Sequence, residues 1–128
     1  MQPLSLISPV TVAERELREV YQSEYGILYQ EDCLEFLGAI LDDSADIVFA
    51  DPPFNLGKDY GTGASDRLNS SDYLAWSKQW LKQSIRVLKP GGSLFIFNLP
   101  KWCIEYGAYL NQEGMNFRHW IACRMPKA

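Results

Sequence analysis

The sequence predicts an α/β protein with a doubly wound, mainly parallel sheet. Short apolar runs of strand length alternate along the chain with segments whose apolar residues recur at helical spacing. Two of the runs, 47–50 and 94–97, are apolar throughout, which is typical of strands that helices cover on both faces. Right-handed connections between such strands would give a parallel sheet with helices on both sides.

Residues 1–25 are expected to form an irregular lead-in and one helix. Thr11-Val12-Ala13-Glu14 matches a capping box, in which the first and last side chains satisfy free amide groups at the start of a helix. A charged helix is therefore predicted from this point to about Val20.

The next elements follow from the spacing of the apolar residues. A short run of β-type residues predicts a strand over 26–30, and helical spacing predicts a helix over 33–41. The polar turn at 42–44 separates this helix from a predicted strand at 46–50. Residues 57–71 are polar, contain three glycines and show little periodicity, so a long loop is expected there.

The second half of the chain continues the alternation. Asp72 is predicted to cap a helix that runs to Leu88 and ends at the Lys-Pro-Gly-Gly sequence 89–92. A strand is predicted over 93–98, followed by a helix from Pro100 that Gly114 ends. The last element predicted is a strand over 117–124.

Composition limits the classes of function. The chain has 128 residues, of which 47% are hydrophobic and 13% aromatic, as in a globular domain. Its net charge of −4 argues against a free-standing basic nucleic-acid-binding module. The first ten residues contain no basic segment and no long apolar run, so neither a signal peptide nor a membrane span is expected.

The cysteines and the single histidine argue against a metal site. Cys33, Cys103 and Cys123 show no Cys-x-x-Cys spacing, and one histidine is too few for most zinc sites. We expect buried free thiols in a reducing, cytoplasmic environment.

Asp51-Pro52-Pro53-Phe54 is the segment that carries chemistry. It follows a predicted buried strand, and ligands bind at the carboxyl ends of strands in open α/β sheets. The two prolines fix the backbone and donate no hydrogen bonds, so a carboxylate and a neighbouring carbonyl remain as fixed acceptors beside an aromatic ring. A simpler interpretation of the four residues alone is a turn after a strand.

These groups suit a planar heteroaromatic base that bears an amino group. The lone pair of such an amine is delocalised into the ring, and acceptors on its two N–H bonds favour the geometry that localises it. The base would be flipped out of its duplex and stacked on Phe54. Asp32, at the end of the preceding predicted strand, is either a helix cap or a second site residue.

The motif and its surroundings resemble the exocyclic-amino DNA methyltransferases, whose motif is of the Asp-Pro-Pro-Tyr type. The resemblance extends from about Gly26 onward, and includes 30–34 before the motif and 87–94 after it. Its early position is similar to that in the β group of the family. The resemblance implies a Rossmann-like fold, S-adenosylmethionine as methyl donor, and double-stranded DNA as partner.

The resemblance also implies roles for particular residues. The implied catalytic set is Asp51, Pro52, Pro53 and Phe54. The implied cofactor contacts are Asp32, Cys33 and Asp51, and the implied substrate contacts are Phe54, Asn55, Lys58 and Tyr60. Asp at the first position of the motif favours adenine N6 as the target. Cytosine N4, an amine in RNA and a protein glutamine are the alternatives.

Two departures from the family pattern matter. Phe54 replaces the commoner tyrosine, which keeps the stacking face. No Phe-x-Gly-x-Gly segment occurs, and the glycines at 61–63 and 91–92 are interpreted as turns. Residues 26–128 are therefore predicted to be the catalytic half of a methyltransferase domain, without the glycine loop for the cofactor and the target-recognition region. Three hypotheses follow. A second chain supplies the C-terminal half, or the chain associates with itself, or it is an inactive chain that serves only in assembly.

Basic and tryptophan side chains allow two further interpretations. Lys58, Arg67 and Lys101 could contact phosphate, but basic residues in loops are usually only solvated. The four tryptophans could stack on bases, although their spacing favours core or interface positions: Trp76, Trp80, Trp102 and Trp120.

Overall fold

A computed structural model describes residues 17–57 and 68–126 of the chain. These residues form four strands and three helices, in an order that mixes a hairpin with a β-α-β unit. The elements are β1 (Glu19–Ser23), β2 (Gly26–Tyr29), α1 (Cys33–Ala39), β3 (Ala45–Ala50), α2 (Ser70–Val87), β4 (Leu88–Ile96) and α3 (Pro100–Gln112).

Strands β1 and β2 form an antiparallel hairpin, with Ser23 opposite Gly26. The prediction that a helix extends to about Val20 is wrong at its C-terminal end, because Glu19 and Val20 belong to β1. Valine and tyrosine in this segment favour a strand, and the short turn brings a partner strand within reach. The predicted capping box at 11–14 lies outside the described residues. The strand predicted over 26–30 is confirmed, but among the described strands it pairs only with β1.

Strands β3 and β4 form a parallel pair connected through α2. The register runs from Ile47 opposite Ser93 to Ala50 opposite Ile96. The described residues thus contain a mixed α/β arrangement with one parallel pair, and the two strand pairs are separate sheets. The complete doubly wound sheet stays a prediction.

The start of β4 contains an irregularity that the sequence marks with Pro and Gly. Ala45 lies opposite Leu88 and Ile47 opposite Ser93, so 89–92 form an excursion from the ladder. Gly91 has φ +82°, a value that favours glycine. A Cβ atom on Gly92 would lie 2.9 Å from the carbonyl oxygen of Lys89. The prediction of a separate turn at these glycines is therefore wrong: they lie within β4, at an irregularity of its pairing with β3.

Helix α2 begins one turn earlier than predicted. Its N-cap is Asn69 and not Asp72: the Asn69 side chain accepts from the Asp72 amide at 2.9 Å. Asn69 Nδ2 in turn donates to the Asp72 carboxylate at 2.6 Å, so the two side chains satisfy each other across the first turn. Asp72 lies in the first turn, where its negative charge stabilises the positive end of the helix dipole. Acidic residues are common both there and at the N-cap, so the sequence alone did not separate the two positions.

Helix α1 is short and is fixed at both ends. At its start Asp32 accepts hydrogen bonds from the amides of Leu34 (2.9 Å) and Glu35 (3.4 Å). At its end the guanidinium of Arg86, from α2, donates to the carbonyl of Leu37 at 2.6 Å and to that of Ile40 at 2.9 Å. Arg86 also pairs with Asp42, in the polar turn that the sequence predicts.

Helices α2 and α3 pack on one face of the β3–β4 pair. The buried cluster consists of Tyr73, Trp80, Leu81, Trp102 and Tyr106. Two of the tryptophans predicted to be core are thus confirmed, and Trp76 packs against the cluster. Trp120 is half exposed and does not belong to it.

The opposite face of the β3–β4 pair is exposed and apolar, so the prediction that helices cover both faces of these strands is wrong within the described residues. It consists of Ile47, Phe49, Phe95 and Phe97, of which Phe49 is 69% exposed. The strand predicted over 117–124 is not formed, and Phe117 and Ile121 are exposed. A strand requires a partner for its amide and carbonyl groups, and within the described residues no further strand lies beside this segment.

The expectation of buried thiols is wrong for two of the three cysteines. All three thiols are free, but Cys33 and Cys123 are exposed and Cys103 is half-buried. Apolar neighbours in sequence misled the prediction, because α1 buries only Ala39 fully. Across 17–57 and 68–126, no helix is long and apolar enough to span a membrane, and no cluster of metal-binding side chains occurs.

Candidate active site

The Asp51–Phe54 motif begins where the pairing of β3 with β4 ends. The Phe97 amide donates to the Ala50 carbonyl at 2.9 Å, which is the last bond along this edge. The rings of Phe54 and Phe97 then lie against each other, with centroids 5.6 Å apart. The motif therefore leaves the sheet at the carboxyl end of a parallel strand pair, as the sequence predicts.

Side chains from both helices hold the backbone of the motif. The Tyr73 hydroxyl, from α2, donates to the Pro53 carbonyl at 2.5 Å. The Trp102 indole N–H, from α3, donates to the Phe54 carbonyl at 3.0 Å. Both aromatic side chains belong to the buried core cluster, so they connect the motif to the core.

A network of polar groups lies behind these contacts. Asn98 Nδ2 donates to the hydroxyls of Tyr73 (2.9 Å) and Tyr106 (3.2 Å), and the Tyr106 hydroxyl also bonds Ser77 at 2.9 Å. Burial is the main cause that raises the pKa of Tyr106 above its ordinary value, so this hydroxyl stays neutral. The network is thus uncharged, and it satisfies its buried hydroxyl groups.

The hydrogen bonds leave two acceptors of the motif uncommitted. Among the bonds between described residues, none involves the Asp51 carboxylate or the Pro52 carbonyl oxygen. Asp51 is exposed, whereas Pro52 and Phe54 are half-buried. The segment therefore presents two acceptors beside an aromatic ring, on a backbone that is fixed at the next two carbonyls.

Asn55 closes the segment that follows the motif. Its φ of +58° is in the left-handed region, which asparagine tolerates better than most residues. Its side-chain amide donates to the Leu68 carbonyl at 2.8 Å and accepts from the Leu68 amide at 2.6 Å. A contact from Asn55 to substrate would compete with these bonds. Lys58, Tyr60 and Arg67, the other residues proposed near substrate, lie outside the described residues.

Asp32 and Cys33 lie at a different place in the fold. Asp32 follows β2, which does not belong to the β3–β4 sheet, so the two predicted site carboxylates do not share one sheet edge. The Asp32 side chain caps α1, which was one of its two predicted roles. Cys33 is exposed as a residue, but partial burial of its sulfur atom, and next the charge of Asp32, raise the pKa of the thiol. This thiol is therefore a poor nucleophile at neutral pH.

Tyr73, Asn98 and Trp102 are the site residues that the sequence predictions missed. Tyr73 and Trp102 fit the apolar stripe of a helix, which concealed their polar atoms. A buried tyrosine hydroxyl or indole N–H almost always finds a partner, and this rule is the signal that could have identified them. Asn98 follows an apolar strand at the same edge as Asp51, a position where ligand-facing residues are common.

Known proteins resemble this chain closely. Residues 45–128 match a family of N6/N4 methyltransferases described as DNA methylase. The type II methyltransferase M.BamHI of Bacillus amyloliquefaciens is 47% identical over 111 residues, which are 87% of this chain and 26% of that protein. The type II methyltransferase M.HpaI of Haemophilus parainfluenzae is 42% identical over 91 residues, 70% of this chain and 29% of its own length.

A third relative is the DNA adenine methyltransferase YhdJ of Escherichia coli. It is 32% identical over 78 residues, which are 61% of this chain and 26% of that protein. The chain thus spans less than a third of the length of each of these three relatives. The family match includes the Asp51–Phe54 motif and both helices that hold it. This chain belongs to the N6/N4 family of DNA methylases.

Proposed function

We propose that this chain is the catalytic half of a DNA amino-methyltransferase that methylates the exocyclic amine of a flipped base. The observation that supports this proposal is the pair of uncommitted acceptors, the Asp51 carboxylate and the Pro52 carbonyl, beside the half-buried ring of Phe54. An exocyclic amine has two N–H bonds, so two acceptors match its hydrogen-bonding capacity. Phe54 offers the face on which the base stacks.

The acceptors act on the nucleophilicity of the amine. In the free base the amine is planar, because its lone pair is delocalised into the ring. Two fixed acceptors stabilise the pyramidal amine that develops during attack, and the electrostatic gain is larger in the transition state than in the ground state. Because other side chains hold the motif, the acceptors need no reorganisation at that moment.

S-adenosylmethionine is the methyl donor that we propose. The described residues fit only part of a site for it. Asp32 is exposed but already caps α1, and the sequence has no glycine-rich strand-to-helix turn of the Phe-x-Gly-x-Gly type. We therefore expect the chain by itself to bind the donor weakly or not at all. Calorimetric titration that shows micromolar binding would contradict this expectation.

Adenine N6 is the first choice of target, with cytosine N4 as the alternative. Asp51 at the first position of the motif favours adenine, and one relative is named an adenine methyltransferase. Two others are named type II methyltransferases, which supports a role in restriction–modification. Nucleoside analysis of DNA after transfer of a labelled methyl group decides between the bases. Labelled N4-methylcytosine as the sole product would overturn the choice of adenine.

The exposed apolar face supports a proposal about the remainder of the enzyme. We expect Phe49, Phe95 and their neighbours to be covered in the active enzyme. A second chain that supplies the C-terminal half, or another copy of this chain, would cover them. The inactive assembly chain is the alternative. Mixing this chain with the part of the Bacillus amyloliquefaciens relative that the match does not cover, and measuring both association and methyl transfer, separates the two. Activity in the mixture supports the enzyme, and a complex without activity supports the assembly role.

Replacement of Asp51 tests the role of the motif. Asp51→Ala removes an exposed carboxylate without a bond to the described residues, so the fold should be unchanged while transfer is abolished. Asp46→Ala is the matched control, because it removes an aspartate of β3 whose Lys89 partner is also a surface group. Transfer that survives in Asp51→Ala would contradict the assigned role.

A further inference from the structure

We infer that Tyr73 and Trp102 are positioning residues, which fix the Asp51–Phe54 motif so that its two free acceptors meet the amine in one geometry. This inference rests on the proposed function. Each acts through a backbone carbonyl of the motif, that of Pro53 for Tyr73 and that of Phe54 for Trp102.

The two donors form one packed unit. The rings of Tyr73 and Trp102 lie 4.6 Å apart between centroids, and the side chains are only 2% and 5% exposed. Their donors reach two successive carbonyls, at 2.5 Å and 3.0 Å. Since water has little access to these donors, it cannot readily replace a lost bond, and the motif would lose an anchor with each one.

The direction of the Tyr73 hydrogen bond is set by Asn98. The side-chain oxygen Oδ1 of Asn98 accepts from the Leu99 amide at 2.7 Å, so the side-chain nitrogen Nδ2 must face the tyrosine hydroxyls. Asn98 therefore donates to the Tyr73 hydroxyl, whose single proton is left for the Pro53 carbonyl. The result is a one-way chain of donors that ends on the motif.

Tyr106 is the internal control for this inference. It is also 2% exposed, belongs to the same core cluster, and accepts from the same Asn98 amide. Its hydroxyl bonds Ser77 and does not reach the motif. Removal of either hydroxyl thus removes a buried polar group of the same network, but only the Tyr73 hydroxyl contacts a motif carbonyl.

The first measurement needs no activity. Tyr73→Phe and Tyr106→Phe are prepared in this chain, and hydrogen exchange of the Trp102 indole N–H is followed by NMR, with Trp102→Phe to assign the signal. We expect Tyr73→Phe to accelerate exchange by about tenfold or more, because release of Pro53 loosens the neighbouring carbonyl. Tyr106→Phe should change this exchange rate by less than about threefold, even if both variants lose the same amount of melting temperature. Equal acceleration in both variants would overturn the inference.

The second measurement uses an active form, namely the complemented mixture or a longer polypeptide that contains this sequence. Tyr73→Phe should lower kcat by about ten- to a hundredfold with little change in KM for DNA, since small misplacements at a reacting centre carry costs of this size. Trp102→Phe should lower kcat in the same way and serves if Tyr73→Phe does not fold. Unchanged kcat in both, or an equal loss in Tyr106→Phe, refutes the positioning role. Failure of Asp51→Ala to abolish transfer would refute the proposed function instead, and the exchange result would stand.

Discussion

Asp32 was predicted to be either a helix cap or a cofactor contact, and substitutions at this one position separate the two roles. Its side chain accepts from two amides at the start of α1, a helix of seven residues with a single fully buried side chain. So short a helix depends on its ends, because packing contributes little. We expect Asp32→Ala to lower the free energy of unfolding by about 1 kcal/mol, the usual loss for an N-cap.

Asp32→Asn is the informative partner of that variant. Asparagine caps about as well as aspartate, so only the interaction of the charge with the helix dipole is lost, roughly 0.3 kcal/mol for an exposed group. Urea denaturation followed by tryptophan fluorescence measures both variants. In thermal scans the alanine variant should melt roughly 4 °C lower, given the size of the chain.

The second part of the test compares the binding of S-adenosylmethionine to the two variants, prepared in the complemented mixture or in a longer polypeptide that contains this sequence. If Asp32 contacts the adenosyl group, Asp32→Asn should bind S-adenosylmethionine more weakly while it keeps nearly all of its stability. If the affinity for S-adenosylmethionine instead decreases only in the variant that loses stability, Asp32→Ala, the carboxylate acts only as a helix cap. Equal destabilisation by alanine and asparagine would refute the capping argument itself.

Three further predictions concern the scaffold. Arg86→Lys should destabilise the chain by about 1–3 kcal/mol in urea titrations, because lysine cannot reproduce the guanidinium fork on the carbonyls that end α1; no loss would refute that role. Gly92→Ala should destabilise by about 1–3 kcal/mol, since its Cβ meets two backbone oxygens, whereas Gly107→Ala has open space in α3 and should be neutral or slightly stabilising. Phe49→Lys should reduce self-association in sedimentation experiments. Ile104→Lys should not, because Ile104 is similarly exposed, at 63%, but lies on α3.

The local elements could be predicted well from the sequence, for physical reasons that apply within each segment. The apolar run before Asp51 predicted a strand correctly, although Ile47 and Phe49 on one of its faces are exposed, and the helical stripe that contains Leu81 faces the core. The ends of the helices were harder to predict. Asn69 and Asp72 both suit the start of a helix, and only the hydrogen bonds between them show which one is the N-cap.

Features that depend on partners distant in sequence could not be predicted. Residues 117–124 have the composition of a strand, but strand formation also requires a neighbour, which the local pattern does not reveal. For the same reason β2 could be identified as a strand while its pairing with β1 was missed. The motif was found from four residues, but its anchors at Tyr73 and Trp102 lie 20 and 48 residues away from the groups they hold.

The pair of bonds between Asn55 and Leu68 has a consequence for how the family can diversify. The segment between these residues starts and ends at one fixed point, so its closure is already satisfied by two bonds at its base. Since each doubling of the number of residues between two joined points costs only about 0.6 kcal/mol of closure entropy, residues can be inserted between Asn55 and Leu68 at little thermodynamic expense. Length variation at this point would leave the position of Asp51 unchanged.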